Sequence, residues 1–469
     1  MTRRPLRILA AATVALAVTA VPARAEGTSV TVMTRNLYLG ADVGVALQLL
    51  PDFPAAAQFM WDQVQANDFA ERAPKIAAEA AAAHPDVIAL QEATTWRCQA
   101  SAFSPSTIVY DFTAQFLDAT RAAGVPYVLA AHDGQQALNP GYKIGPIPGL
   151  TRVHDPAAFG PLFGTDDAYC GFEIGDALAV RADRASSVRR VGTTDYPTRY
   201  QVAPVVFEIS RGYSWADIDF AGTTVRFVTT HLESLWDPNA IPQSARQAGE
   251  LTADLADTTM PVVVMGDFNS DPRDPRDPAA NPGGQPEVSD TCPPGPDPRC
   301  SAYWTMRAAG FTDAGPDAMD PANLSWGESA LLAGPDLARL PDAERMGNDA
   351  GFTDRLDYVF VRNGVQPVAA HLIGETWPRG DDMWPCRTAE QLANTQAAAT
   401  AMGVRPPDGA VCAPTDHAGI VAELAVPQST RIDAPPPSHR GGFEISAALI
   451  GLLLLGGLGA GIAAHRSTR

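Results

Sequence analysis

Positive charge is scarce in this sequence. Thirty-four Lys plus Arg face 53 Asp plus Glu, a formal net charge of -19. A body this acidic is not built for tight nonspecific binding to nucleic acid, which needs cations to neutralise phosphates. Turnover of a phosphate substrate through bound cations stays open. The six cysteines contain no CxxC spacing, which argues against a zinc site. No Gly-x-Ser-x-Gly elbow occurs, so an acyl-transfer serine hydrolase finds no support. The "GGLGAG" near the C-terminus follows no strand, so it is not read as a nucleotide loop.

What is present begins with two addresses. "TRRPLR", then "ILAAATVALAVTAV", then "ARA" is a basic, apolar and small-residue succession. It predicts a signal peptide over 1–25, cleaved after Ala25. Residues 445–464 are uncharged and largely apolar, with Arg466 and Arg469 just beyond. About 20 such residues suffice to cross a bilayer, and basic residues after a span stay cytoplasmic. A Pro- and Gly-rich stalk, 428–444, precedes that span. The expected product is exported and anchored at the cell surface by one C-terminal transmembrane helix. Its body would be 28–427, with a basic tail, 465–469, on the cytoplasmic side.

Cys98, Cys170, Cys292, Cys300, Cys386 and Cys412 all fall in the exported part. An even count in an oxidising compartment suggests disulfides. Cys292 with Cys300 would close a local loop. Cys386 with Cys412 and Cys98 with Cys170 are the simplest remaining pairs, though sequence leaves the connectivity open.

Along the body, apolar strands alternate with helical patterns. "SVTVMTRN" reads as a strand ending at Asn36, and "PDVIALQEA" as a buried strand ending at Glu92. "TTVRFVTTHLES" ends at His231, and "PVVVMGDFN" at Asp267 and Asn269. "DRLDYVFVR" and "HAGIVAELAV" are late strands, and "RAPKIAAEAAAAH", "DFTAQFLDATRAAG" and "SARQAGELTADLAD" are helices. Two packed sheets flanked by helices would gather the strand ends at one edge. Irregular insertions are expected near 271–300 and 371–411.

Those ends carry Asn36, Glu92, His231, Asp267, Asn269, Asp357, Asp416 and His417. Taken alone, Asp267 and Asn269 read as turn residues. Together the set is oxygen-rich and lacks cysteine, which favours a hard divalent cation: Mg2+, with Mn2+ or Ca2+ as alternatives.

In order, "TRNLYLG", "DVIALQEA", "TTHLES", "MGDFNSDP", "DRLDYVFV" and "TDHAGIVAEL" resemble the motifs of the endonuclease/exonuclease/phosphatase superfamily, from about Val30 to about Val426. The resemblance implies an α/β fold, the four-layer DNase I-like sandwich of two mainly antiparallel sheets flanked by helices. It implies metal-dependent hydrolysis of phosphate esters at the sheet edge. Glu92 matches the family's metal-ligand glutamate, and Asn36 the asparagine that orients metal and phosphate. Asp267 would position or activate water, and Asn269 would bind a phosphate oxygen. His231 matches the histidine near the leaving group. Asp416 and His417 match the "SDH" pair, Asp416 as metal ligand and His417 as catalyst, with Thr415 replacing Ser. Asp357 would orient His417, Arg355 would support the phosphate, and Asp176 would line the site.

Tyr38 stands where abasic-site endonucleases place an acid, which sets that subgroup aside. "VMTRNLY" and "TTHLES" also look like secreted bacterial sphingomyelinases. Trp215, Trp236, Trp377 and Trp384 are either membrane-contacting aromatics or core. The expected activity is a nuclease-like phosphodiesterase acting by direct attack of metal-activated water. A sphingomyelinase or phospholipase C-type enzyme is the alternative. A catalytically idle binding module is a third reading, and it predicts a broken site. Candidate partners are therefore nucleic acid, phospholipid or a small phosphodiester, together with the membrane.

Overall fold

The structure, a computed structural model, describes residues 27–203, 207–235, 242–273, 301–374, 377, 378, 380 and 382–428. All lie within the larger of two compact units, Met1–Ser429. The expected signal peptide, most of the stalk, the span 445–464, the tail, Trp236, Cys292 and Cys300 lie outside the described residues. Among the described residues no helix is long and apolar enough to cross a membrane.

Ten strands position the site. They are β1 (Gly27–Asn36), β2 (Val87–Gln99), β3 (Asp167–Arg181), β4 (Val188–Asp195), β5 (Gly212–Phe220), β6 (Thr223–His231), β7 (Val262–Asp267), β8 (Asp357–Arg362), β9 (Gln366–Ile373) and β10 (Gly419–Pro427). Among the described residues one sheet has nine strands and runs β9-β10-β1-β2-β3 before a short edge strand, Tyr127–Leu129. The other has six and runs β4-β5-β6-β7-β8 before Thr312–Asp313.

Each sheet is built around one parallel pair, β1 with β2 and β6 with β7. A parallel pair needs a crossover, normally a helix. The helix Phe69–Ala83 serves the first pair and Gln243–Asp254 the second. The first buries Phe69, Arg72, Ala73, Ile76, Ala77 and Ala80, a stripe at helical spacing. Parallel neighbours end at the same edge, so Asn36 pairs with Gln91 and His231 with Asp267. The antiparallel strand β8 begins there too, setting Asp357 opposite Asp267.

Alternation assigns the layers. Val30, Val32, Val87 and Ala89 face Val225, Phe227, Val263 and Met265 in a core between the sheets. Met33, Ile88 and Leu90 face the opposite way, onto Ile76, Ala77 and Ala80. Val228, Val262 and Val264 face Leu251, Leu255 and Met306 on the far side. The result is helix, sheet, sheet, helix, the expected α/β sandwich. Gly266 (φ +150°) is required where β7 meets β6, since a Cβ there would sit 2.0 Å from the Thr230 carbonyl oxygen.

Two boundaries differ from expectation. β2 does not stop at Glu92 but runs on to Gln99. Its pairing with β3 shifts between Leu90 and Ala93, so Glu92 sits at a bulge inside the strand. The region 371–411 is not wholly irregular. His371 belongs to β9, and a helix, Ala389–Ala401, starts from a Thr388–Gln391 capping box. Disulfides join Cys98 to Cys170 and Cys386 to Cys412. Trp377 and Trp384 are buried, with their indole N–H groups donating to the carbonyls of Val411 and Ala413, so neither is a surface aromatic. Trp215 packs beneath the Arg226 guanidinium.

Candidate active site

Asp267 is the hub. Its Oδ2 accepts from Asn36 Nδ2 at 3.0 Å, and its Oδ1 from the Asn269 backbone N–H at 2.9 Å. The same Oδ2 lies 3.5 Å from His231 Nε2 and 3.6 Å from His417 Nε2. Two histidines from different sheets thus converge on one carboxylate oxygen. Burial raises the Asp267 carboxyl to about 7 against the opposing pull of His417, with Asp357 adding to the rise.

The two histidines are held in opposite states. His417 Nδ1 is 2.9 Å from Asp357 Oδ2, which also accepts from Ser325 Oγ at 2.7 Å. Burial disfavours the imidazolium, but Asp357, Asp416 and Asp267 outweigh it and raise His417 to about 10. His231 Nδ1 accepts from Arg211 Nη1 at 3.1 Å, so Nε2 carries the ring proton, 3.5 Å from Asp267 Oδ2 and 2.9 Å from Asn269 Nδ2, which donates to the Leu232 carbonyl. Burial, Arg211 and His417 together push its pKa well below the usual range, so it is neutral.

Backbone strain gathers here. Tyr38 (φ 55°), Glu92 (φ 50°) and Asn269 (φ 44°) are all left-handed. Such residues cost about 1–3 kcal/mol each and cluster at functional sites. Side chains hold the strained turns. Asn36 Oδ1 accepts from the Tyr38 N–H at 2.8 Å, and Glu92 Oε2 from the Leu39 N–H at 2.5 Å.

A cation fits two donor sets. Glu92 and Asp416 both have raised pKa values, from burial first. The charge of Asp416 raises Glu92 further, and both residues line the same cavity. Asp416 Oδ1 is buried without a hydrogen bond, 3.9 Å from His417 Nε2, while its Oδ2 accepts from Trp326 Nε1 at 3.3 Å. Asp267, Asp357 and His417 form a second cluster with ligand atoms within 4.8 Å of one another. There His417 Nδ1 is paired with Asp357 Oδ2, while Asp357 Oδ1 is buried without a hydrogen bond. Each set thus leaves one buried carboxylate oxygen without a hydrogen bond, and the oxygen donors of Glu92 and Asp416 suit a hard cation.

The geometry places three of the expected residues as follows. Asn36 Oδ1 accepts from the Tyr38 N–H, and its amide nitrogen turns toward Asp267 and Glu92 (3.4 Å). Arg355 does not line the 560 Å³ cavity. Its guanidinium donates to the carbonyls of Asp357 and Asn323 and lies over the Tyr358 ring. Asp176 is buried beside Arg211 and His231 without lining that cavity, and burial raises its carboxyl to about 8.

The cavity also holds residues that strand ends alone do not reveal. Arg211 and Glu233 form a buried pair at 3.1 Å. Trp326 braces Asp416, and Glu328 keeps Oε2 buried without a partner. "SWGES", with an aromatic and an acid between polar residues, was the signal available for the last two. Arg211 precedes β5, a strand with no clean alternation.

A sequence model of the Endonuclease/Exonuclease/phosphatase family matches residues 63–417, which contain every expected site residue except Asn36. Comparison with curated proteins finds no match. Among solved structures, an endonuclease/exonuclease/phosphatase from Beutenbergia cavernae is 16% identical, with 85% of this chain and 72% of that chain covered and a TM-score of 0.43. D. rerio TDP2 complexed with a single-strand DNA product is 15% identical, with 85% and 99% covered and a TM-score of 0.38. A mannosyl-6-phosphatase from Bacteroides thetaiotaomicron is 13% identical, with 84% and 99% covered and a TM-score of 0.39. At these low scores the likenesses carry no argument. The match over most of the chain does: this protein belongs to the endonuclease/exonuclease/phosphatase family, whose members hydrolyse phosphate esters.

Proposed function

We propose that the protein is a metal-dependent phosphodiesterase that attacks phosphorus directly with water. The observation that carries this reading is the convergence of Asn36, His231 and His417 on one Asp267 oxygen. Glu92 and Asp416 would hold a divalent cation, Mg2+ first, with Mn2+ or Ca2+ as alternatives. Bound there, it would neutralise phosphate charge and lower the pKa of water.

The protein groups divide the remaining work. Asp267, with a carboxyl near neutrality, takes the proton of the attacking water. The amides of Asn36 and Asn269 steady that carboxylate and the phosphate oxygens. His417, kept cationic by Asp357, donates from Nε2 to the phosphoryl oxygens as their charge grows. His417 is also the proton source for the leaving oxygen, because His231 is neutral. His231 contributes a wall and a hydrogen bond.

Purified protein should hydrolyse bis-p-nitrophenyl phosphate with added Mg2+, Mn2+ or Ca2+. Parallel assays with duplex DNA, RNA and sphingomyelin would assign the substrate class. No turnover of any of these would favour the idle binding module. The body is proposed to be exported and surface-anchored. The N-terminal pattern, the apolar run 445–464 and the two disulfides support this. An impermeant reagent should label it on intact cells, and labelling only after lysis would contradict that.

A further inference from the structure

Beside the catalytic cavity lies a second one, of about 140 Å³, with a different chemistry. Its wall is aliphatic and aromatic, including Ala46, Leu50, Phe53, Ala57, Met60 and Phe172. Its few polar atoms are mostly committed. The Thr151 hydroxyl is tied to the Ile147 backbone, and Cys170 is in a disulfide with Cys98. Four residues, Val43, Leu47, Tyr142 and Ile209, line both cavities, so the apolar one opens off the wall of the phosphate site. Two lining residues, Ile147 and Leu150, are also 43% and 38% exposed. The apolar surface therefore runs from the pocket out to solvent.

Resting on the phosphodiesterase reading, we infer that this pocket receives an alkyl chain of the substrate, so that the enzyme acts on amphiphilic phosphodiesters. A space of about 150 Å³ takes a benzene-sized apolar group. This pocket therefore holds a short run of methylenes next to the esterified phosphate. A nucleobase is the poorer occupant, because its edge needs hydrogen-bonding groups that this wall does not offer.

The test is a series of p-nitrophenyl alkyl phosphodiesters, methyl, butyl and hexyl, each below its micellar concentration, with a thymidine p-nitrophenyl phosphodiester alongside. The pocket predicts that kcat/KM rises with chain length, by up to about fourfold per methylene until the space is filled. Ala57→Phe, or the milder Ala46→Leu, should bring the hexyl-to-methyl ratio back toward one, with thermal melting confirming the fold. A wild-type ratio that does not depend on chain length would overturn the assignment. So would preference for the thymidine ester, or a ratio unchanged by filling the pocket. Turnover of none of the diesters would overturn the phosphodiesterase reading itself, and the pocket assignment would fall with it.

Discussion

His417 Nδ1 and Asp357 Oδ2 lie 2.9 Å apart, both buried. The carboxylate keeps the imidazole charged through neutral pH, with a pKa of about 10. A group raised this way stays protonated until the pH passes its folded pKa, so activity that needs its charge is lost on the alkaline side. Asp357→Asn removes the charge and lowers that pKa. The alkaline limb of the kcat profile should move to lower pH, and kcat should fall by about 10²–10⁴-fold. A fall in kcat with the limb unmoved would contradict the pairing's role.

Arg211 makes the opposite arrangement at His231. Its guanidinium never gives up a proton, so it opposes a charged imidazole. In metal-free protein, Arg211→Met should raise the His231 pKa, readable by NMR titration of the ring. It should also destabilise the fold by about 3–5 kcal/mol, because Glu233 stays buried without its partner. Adding Glu233→Gln should recover part of that loss. An unshifted His231 titration would show that burial alone keeps it neutral.

Asp176 gives a stability prediction with a definite sign. Its carboxyl rises from 3.8 to about 8 on folding, from burial against the counter-pull of Arg211. The unfolded chain thus loses this proton at lower pH than the folded one. The contribution of this group to stability is full below pH about 4 and declines as pH climbs toward 8, by up to about 1.4 kcal/mol per pH unit. Asp176→Asn removes the decline. With chelator present, the variant's stability relative to wild type should increase between about pH 5 and pH 7. A constant difference would contradict the shift.

The Cys386–Cys412 bridge closes 26 residues beside the segment that carries Leu332 and Ala333. That segment supplies Glu328 and Ala330 to the cavity and accepts the Tyr38 hydroxyl at Ala330. Replacing both cysteines by Ser should lower stability by about 3 kcal/mol. It should raise KM more than it lowers kcat, because the hub around Asp267 rests on the sheets. Denaturant unfolding and steady-state kinetics check the two parts.

Residues fixed by backbone pattern were the legible ones. Asn36, His231 and Asp267 end short apolar strands, and period-two patterning with turn chemistry marks such ends. The left-handed bulge at Glu92 was not legible, because "LQEATTW" continues as a strand on both sides. Arg355 illustrates a different limit. The family resemblance implied a phosphate contact, whereas its side chain donates to two carbonyls within the fold. Arg211 lines the cavity, as does Arg339, and it comes from the other side of the second sheet's parallel pair. Side-chain direction and long-range pairing decide such cases, and neither is written in local sequence.

The central claim is that Asp267 and His417 act together on a phosphodiester beside a divalent cation. Initial rates on bis-p-nitrophenyl phosphate test it most directly, for wild type, Asp267→Ala and His417→Ala, with and without chelator. The account predicts turnover that chelation abolishes and added Mg2+, Mn2+ or Ca2+ restores, with each substitution lowering it by at least about 10²-fold. Metal-restored turnover that survives either substitution would contradict it.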